Sequence, residues 1–399
     1  TRRSSDLKIA AGEVIDRPAS VIKELLENAI DAGADSIEIT LQDAGKKSLS
    51  VKDNGTGIHP DDIETIFERH STSKIASAED LFDIHSLGFR GEALYSICAV
   101  ADITLRSKTQ NEDSGREIHI RGGKRLGLKP VPMPDGTEIT VTELFFNTPA
   151  RRKFLKSGTA ETHQILNTVI PYALLYPQCR FVLSHGAKLL LDLNPAGSLK
   201  QRAADVLNLE PGFLIEEETA FPGASLSAHI ILGDINIIRA KRDMQFIFIN
   251  GRPVENKHIS FHLNDVYRLI FPPRRYPFFL LSLTLPAGDL DVNIHPTKRE
   301  VKIRQEQEIC SLIRRFCENT LMNAGRPKAV WSEDHHGGLA ERPSIRRMID
   351  QALSDREKDG AALERPFDGA LSEKDRGSCQ PPTEQYAFPR QEFAQDYTQ

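Results

Sequence analysis

From Ala19 to Ala34 apolar residues recur at helical spacing, so that Val21, Ile22, Leu25, Leu26, Ala29 and Ile30 gather on one broad face of a predicted helix. Beside that face Glu24, Asn28 and Asp31 stand at i, i+4 and i+7, within a single polar stripe. The period then changes from helical to alternating. Ser36 to Gln42 turns Ile37, Ile39 and Leu41 to one side, and Ser48 to Asp53 does the same with Leu49 and Val51, which predicts two short strands. Asp135 to Val141 reads as a turn entering another alternating strand. Arg180 to Ser184 and Lys188 to Leu193 predict two more, before a break at Pro195-Ala-Gly197 and a connecting helix near Ser198 to Leu207.

A second set of elements follows. Leu226 to Leu232 and Ile235 to Ala240 alternate, Phe246 to Ile249 is strongly apolar, and Asn250-Gly-Arg-Pro253 is a turn. His258 to Ile270 has helical spacing, Phe278 to Leu285 reads as a buried strand, and Glu306 to Met322 as a final amphipathic helix. Beyond Gly325 the periodicity fails, and Pro, Gly, Ser and charged residues mix without order. The expected organisation is therefore a first domain over 1–197, a second over 198–325 and a mostly disordered linker over 326–399.

Composition changes this picture little. A chain of 399 residues with 39% hydrophobic content can bury two ordinary cores. The five cysteines, at 98, 179, 310, 317 and 379, are scattered and lack zinc-ligand spacing, so reduced thiols in a cytoplasmic protein are expected. No apolar run is long enough to cross a bilayer, and no membrane partner is expected. A net charge of −5 excludes a uniformly basic nucleic-acid coat. Any DNA contact must then be local, and the candidate clusters are Arg151, Arg152, Lys153 and Lys156, then Lys241 and Arg242, then Arg252, Arg268, Arg274 and Arg275.

The candidate chemistry lies in three places. A carboxylate and a carboxamide one turn apart, Glu24 and Asn28, can hold an activated water and a hydrated magnesium ion if the stripe borders a nucleotide pocket. The strand ending in Asp53-Asn-Gly-Thr-Gly57 offers a carboxylate to an exocyclic amine such as that of adenine, and its glycines let the backbone turn and a flat ligand approach. Ser86-Leu-Gly-Phe-Arg-Gly-Glu-Ala-Leu94 places Gly88 and Gly91 at a helix start, where free N–H groups favour a phosphate. Each piece alone has a plainer reading as a polar helix face, a turn or a loop.

In this order the pieces resemble the nucleotide site of the GHKL ATPases. The stretches Ile9-Ala-Ala-Gly-Glu-Val14, Arg17-Pro-Ala-Ser20, Arg69-His-Ser-Thr-Ser-Lys-Ile-Ala76, Leu87 to Leu94, Asn147-Thr-Pro-Ala-Arg-Arg-Lys-Phe154 and Val292-Asn-Ile-His-Pro-Thr-Lys-Arg-Glu-Val301 resemble the MutL family of DNA mismatch repair proteins. The similarity covers roughly residues 8 to 325. It implies an α+β fold, a GHKL (Bergerat) two-layer α/β sandwich followed by a ribosomal-protein-like βαβ domain. It also implies magnesium-dependent ATP hydrolysis, with Glu24 as general base, Asn28 as magnesium ligand and Lys298 reaching the γ-phosphate. Asp53, Gly57 and Thr137 would hold adenine, and Thr72, Gly88, Phe89, Arg90, Gly91 and Glu92 would surround the nucleotide. Non-specific DNA binding through Arg252, Arg268, Arg274 and Arg275, a homodimer formed on ATP binding, and work with a mismatch-recognition protein and downstream nuclease or helicase factors are implied in the same way.

Two departures bear on this. Thr1 to Leu7 does not resemble the family's leader and reads as a translated sequencing adapter, so it is set aside from fold reasoning, and the true amino terminus is expected to be missing. At the far end the chain stops before the family's dimerisation domain and shows no Asp-Gln-His-Ala-type metal motif, so no endonuclease activity is assigned. The alternatives are an ATP-binding scaffold with negligible turnover and the ATPase part of a type II topoisomerase.

Overall fold

Pro18, whose fixed φ suits the first turn of a helix, opens α1 (Pro18–Asp31). This helix buries Val21, Ile22, Leu25, Leu26 and Ala29 and leaves Ile30 half-buried, so the apolar face expected from the sequence is the face that packs. The computed structural model describes residues 15–68, 93–234, 236–268, 270–291 and 301–324. All of them fall in one unit, Thr1–Leu353.

After α1 come β1 (Ser36–Gln42), β2 (Ser48–Asp53), α2 (Ala93–Val100), β3 (Asp102–Lys108), β4 (Gly115–Arg121), β5 (Lys124–Val131) and β6 (Gly136–Thr142). Then follow α3 (Pro149–Phe154), α4 (Gly158–Leu175), β7 (Arg180–His185) and β8 (Lys188–Leu193). The eight strands form one sheet in the order β5-β4-β3-β6-β2-β1-β7-β8. Only β1 and β7 run parallel; the other neighbours are antiparallel. One face of this sheet is buried with α1, α2 and α4 in a single hydrophobic cluster, which makes the two layers of the expected α/β sandwich.

Helix α5 (Leu199–Leu207) is capped by Ser198, whose hydroxyl accepts from the amide of Gln201 at 3.1 Å. It leads into β9 (Leu214–Phe221), β10 (Leu226–Gly233), β11 (Ile238–Arg239), β12 (Gln245–Ile249), β13 (Arg252–Pro253) and α6 (Lys257–Tyr267). Last come β14 (Tyr276–Pro277), β15 (Phe279–Thr284), β16 (Leu290–Asp291), β17 (Lys302–Ile303) and α7 (Glu306–Asn323). A second sheet has the order β13-β12-β15-β10-β9, in which β12 and β15 are parallel and joined through α6, the expected βαβ unit. Strands β11 and β14 pair as a separate short ribbon.

Both faces of the second sheet are covered. Ile230, Leu281 and Leu283 pack with Ile259 and Leu263 of α6 and Ile313 and Cys317 of α7. On the opposite face Ile231, Phe248 and Leu280 join the cluster that contains α1, α4 and α5. Burial on both sides explains why Phe279–Thr284 reads as a continuous apolar run rather than an alternating one.

Three readings change. Ile235 to Ala240 is not a full strand: only Ile238–Arg239 pairs, and Ile235 lies outside the described residues. The helix expected over His258 to Ile270 runs from Lys257 to Tyr267, capped by Asn256 and stopped ahead of Pro272 and Pro273. Strands β3, β4, β5 and β9 and the long helix α4 are additional, and Pro171 within α4 masks its helical signal. The linker expected over 326–399 lies outside the described residues.

Candidate nucleotide site

Three neighbouring strands carry their inward residues in register. Leu49, Val141 and Ile103 form one rung across β2, β6 and β3, and Val51, Ile139 and Leu105 form the next. The third rung is polar: Asp53, Thr137 and Ser107. Because side chains alternate along a strand, this rung faces the same side as the two apolar ones, toward the helical layer. A polar rung at the end of an apolar stack is costly unless its groups are satisfied.

They are nearly satisfied by one another. Asp53 Oδ1 accepts from the amide of Gly55 at 2.9 Å and from that of Thr137 at 3.3 Å. Ser107 Oγ accepts from the amide of Ile58 at 2.8 Å, donates to the carbonyl of Gly136 at 3.1 Å and shares a 2.9 Å hydrogen bond with Thr137 Oγ1. Among the described residues Asp53 Oδ2 has no hydrogen-bond partner. Burial raises the Asp53 carboxyl above its ordinary 3.8, with the two amides opposing the rise. The rung thus presents one carboxylate oxygen and a fixed hydroxyl to whatever sits beside it.

Two glycines bring the turns around this rung together. At Gly57, with φ +73°, a Cβ would stand 2.2 Å from the carbonyl oxygen of Lys108. At Gly136, with φ +116°, it would stand 2.1 Å from the carbonyl oxygen of Asp53. The close approach that Gly57 permits is therefore to the Lys108 main chain.

The same turn holds the rung against α1. The Thr56 amide donates to the carbonyl of Ala32 at 3.0 Å, and Asn54 Oδ1 accepts from the amides of Asp35 and Ser36 at 3.1 and 2.9 Å. Asn54 Nδ2 donates to Asp35 Oδ1 at 2.6 Å. The carboxy-terminal end of α1 and the turn after β2 are thereby fixed to one another. The Glu24, Asn28 and Asp31 side chains are half-buried rather than exposed.

Lys23 and Glu27 of α1 are polar residues that the sequence reading did not single out. Glu27 is 7% exposed, and its carboxylate accepts from the hydroxyl of Tyr172 on α4. Lys23 Nζ lies 3.3 Å from Glu24 Oε1 and 3.0 Å from Glu27 Oε1. Burial pulls the Lys23 ammonium down, but the two carboxylates outweigh burial and its pKa is raised. Burial raises Glu27, with Glu24 adding to it and Lys23 and Tyr172 opposing. The missed signal for Ser107 is plainer: it is a polar residue at an inward position of an alternating strand, after Ile103 and Leu105.

The structure brings Asp53 and Thr137 together and packs the Gly57 turn beside them, while Glu24 and Asn28 lie half-buried on α1. Thr72, Gly88, Phe89, Arg90, Gly91, Glu92 and Lys298 lie outside the described residues. Among the described residues no cluster of three or more His, Cys, Asp or Glu side chains can hold a metal. No helix among the described residues is long and apolar enough to cross a membrane.

The basic candidates divide. Arg274 and Arg275 are exposed and precede Tyr276, whose ring Arg242 covers at 4.7 Å, so they share the β11/β14 ribbon with Lys241 and Arg242. Arg268 is exposed at the end of α6, 3.3 Å from Asp265. Arg252 sits apart on β13, half-buried. The Tyr176 phenol just past α4 is raised by burial and by Asp31 and Glu27, while Arg252 pulls it down.

Comparison with known proteins adds the following. Residues 16–144 match the family described as "Histidine kinase-, DNA gyrase B-, and HSP90-like ATPase", and residues 214–322 match "DNA mismatch repair protein, C-terminal domain". The chain is 42% identical over 315 residues to the DNA mismatch repair protein MutL of Exiguobacterium sp., covering 79% of this chain and 52% of that protein. It is 44% identical over 310 residues to MutL of Lactiplantibacillus plantarum, covering 77% of this chain and 45% of that one. The chain thus spans about half the length of these curated relatives. Among solved structures, the Aquifex aeolicus MutL ATPase domain complexed with ADP matches with a TM-score of 0.56 and 30% identity, over 76% of this chain and 98% of that domain. The N-terminal domain of a DNA repair protein matches with a TM-score of 0.69 and 26% identity, over 79% of this chain and 98% of that one.

Proposed function

The chain belongs to the MutL family of DNA mismatch repair proteins and carries its GHKL ATPase fold, and from that premise we propose that it binds and slowly hydrolyses ATP between the polar rung and α1. The observation that carries the reading is the Asp53–Thr137–Ser107 rung. Asp53 Oδ2 is an acceptor suited to the exocyclic amine of adenine, and Oδ1 is already occupied by two amides. The ADP bound to the Aquifex aeolicus domain supports the same ligand class.

Glu24 is the group that takes the proton. As the water oxygen bonds to the γ-phosphorus, the bond to the β–γ bridging oxygen breaks, ADP leaves with that electron pair, and the water's proton passes to the Glu24 carboxylate. The single carboxamide of Asn28 fits magnesium, which keeps most of its water and takes few protein ligands alongside phosphate oxygens. When bound it would neutralise phosphate charge. Asn28 would hold it, and Glu24 one turn away would orient the water. Lys298, Gly88, Phe89, Arg90 and Gly91 are assigned to the phosphates, and Thr72 and Glu92 to the nucleotide, on family grounds.

In this reading residues 1–197 are the ATPase domain and 198–325 a transducer with the DNA surface. ATP binding closes a homodimer, and the closed form links a mismatch-recognition protein to downstream nuclease and helicase factors in the cytoplasm. DNA binds without sequence preference through Arg274 and Arg275, with Arg252 and Arg268 as further candidates. The test is steady-state turnover of Glu24→Gln, which should keep nucleotide affinity and lose at least about a hundredfold in rate. Turnover at the wild-type rate would remove Glu24 from the mechanism. If the wild-type chain bound ATP without measurable turnover, it would be the scaffold of the alternative reading.

A further inference from the structure

Glu24 does not stand alone on α1. Tyr172 on α4 donates its phenolic proton to Glu27, Glu27 holds Lys23 at 3.0 Å, and Lys23 reaches Glu24 Oε1 at 3.3 Å. The chain of contacts starts from a phenol that is 2% exposed and a carboxylate that is 7% exposed, and it ends on the half-buried group assigned as general base. Nothing in the burial of α1 against the sheet requires it. A methionine or leucine at each of positions 23 and 27 would satisfy a buried helix face at lower cost than an ammonium and a carboxylate.

We propose that Lys23 is a positioning residue for ATP hydrolysis, anchored by Glu27 and Tyr172, which holds the Glu24 carboxylate in one orientation on α1. The inference rests on the assignment of Glu24 as base. The Lys23 ammonium at 3.3 Å restricts the rotamers of the Glu24 carboxylate, so the group meets a bound water in one geometry. Lys23 would swing into solvent were it not tied back by Glu27, which is why the second carboxylate and the phenol on α4 belong to the arrangement.

The experiment is turnover and ADP affinity of the full chain carrying Lys23→Met, Lys23→Arg, Tyr172→Phe and Glu24→Gln, each checked by thermal melting. Lys23→Met should lower kcat about tenfold with ADP affinity within about twofold, and Lys23→Arg should recover most of the rate. Tyr172→Phe keeps every charge but releases Glu27, and should lower kcat by about threefold. In Glu24→Gln the further change Lys23→Met should have no effect on the residual rate, since the group it positions is gone. A Lys23→Met enzyme with wild-type kcat, or one whose ADP affinity falls in step with its rate, overturns the proposal. If Lys23→Met does not fold, a wild-type kcat in Tyr172→Phe overturns it instead. Wild-type turnover in Glu24→Gln would defeat the base assignment itself, a separate and distinguishable failure.

Discussion

Asp53 and Thr137 face one another across β2 and β6, and the Thr137 amide donates to Asp53 Oδ1 at 3.3 Å while the Thr137 hydroxyl meets Ser107 on β3. An acidic residue, a hydroxyl and a second hydroxyl thereby occupy one rung, directly beyond two rungs made only of Leu, Val and Ile. Such a rung sets a specific hydrogen-bonding edge at the rim of an apolar layer. It also creates strain in the energetic sense, since each group must be satisfied by a neighbour or a ligand.

The Asp53 carboxyl therefore has a cost that depends on pH. Its folded-state pKa is raised, so above the ordinary value of 3.8 the folded chain binds more protons than the unfolded one, and stability from this group falls as pH rises through that window. Asp53→Asn carries no such dependence. The variant should gain stability relative to wild type between acid pH and about pH 7, without nucleotide present. Thermal melts of both proteins across that range check this, and parallel curves would refute it.

Ser107→Ala should weaken adenine nucleotide binding although Ser107 is 2% exposed and not expected to reach the base. Its loss leaves the Ile58 amide without its 2.8 Å acceptor and frees the Thr137 hydroxyl to rotate. We expect about threefold to tenfold weaker ADP binding and about 1–2 kcal/mol of lost stability. Calorimetric titration and denaturant unfolding measure the two separately.

Gly136→Ala should be more damaging than any other single-methyl change near the site. Its Cβ would fall 2.1 Å from the Asp53 carbonyl oxygen and 2.8 Å from the Asn54 Cα, both backbone atoms that cannot swing aside. At φ +116° the backbone conformation itself also disfavours a side chain. A loss of about 2–4 kcal/mol is expected from strain of this kind, read by denaturant midpoint.

Arg274→Glu with Arg275→Glu should weaken DNA binding and reduce its salt dependence, because these exposed groups share the ribbon with Lys241 and Arg242. Arg252→Glu should change DNA binding much less, since Arg252 lies on the edge strand β13, apart from the ribbon. Affinity for duplex DNA at several salt concentrations distinguishes the two outcomes. A larger DNA effect at Arg252 would reverse the assignment.

How much of this could be read from the sequence depended on whether a signal was local. The α1 face, β1, β2 and the turn at Asp53 were legible because period and turn chemistry lie within a few residues. Helix α4 was not, because Pro171 interrupts it and its burial is nearly all-round, from Ile165 through Leu174. Lys23 and Glu27 were passed over because their partner Tyr172 is supplied by a helix far along the chain. Ser107 became meaningful only once strand register placed it beside Thr137. Arg252, Arg274 and Arg275 looked like one basic cluster in sequence, yet the fold sends Arg252 to a sheet edge and the others to the ribbon.

The most direct measurement of the central claim is ADP and ATP binding to Asp53→Asn, followed by titration calorimetry alongside wild type. The asparagine can keep the amide contacts of Oδ1 while exchanging the outward carboxylate oxygen for a donor, which no longer complements an exocyclic amine. The account predicts an intact fold with nucleotide affinity at least about tenfold weaker. An unchanged affinity in a folded Asp53→Asn chain would contradict it.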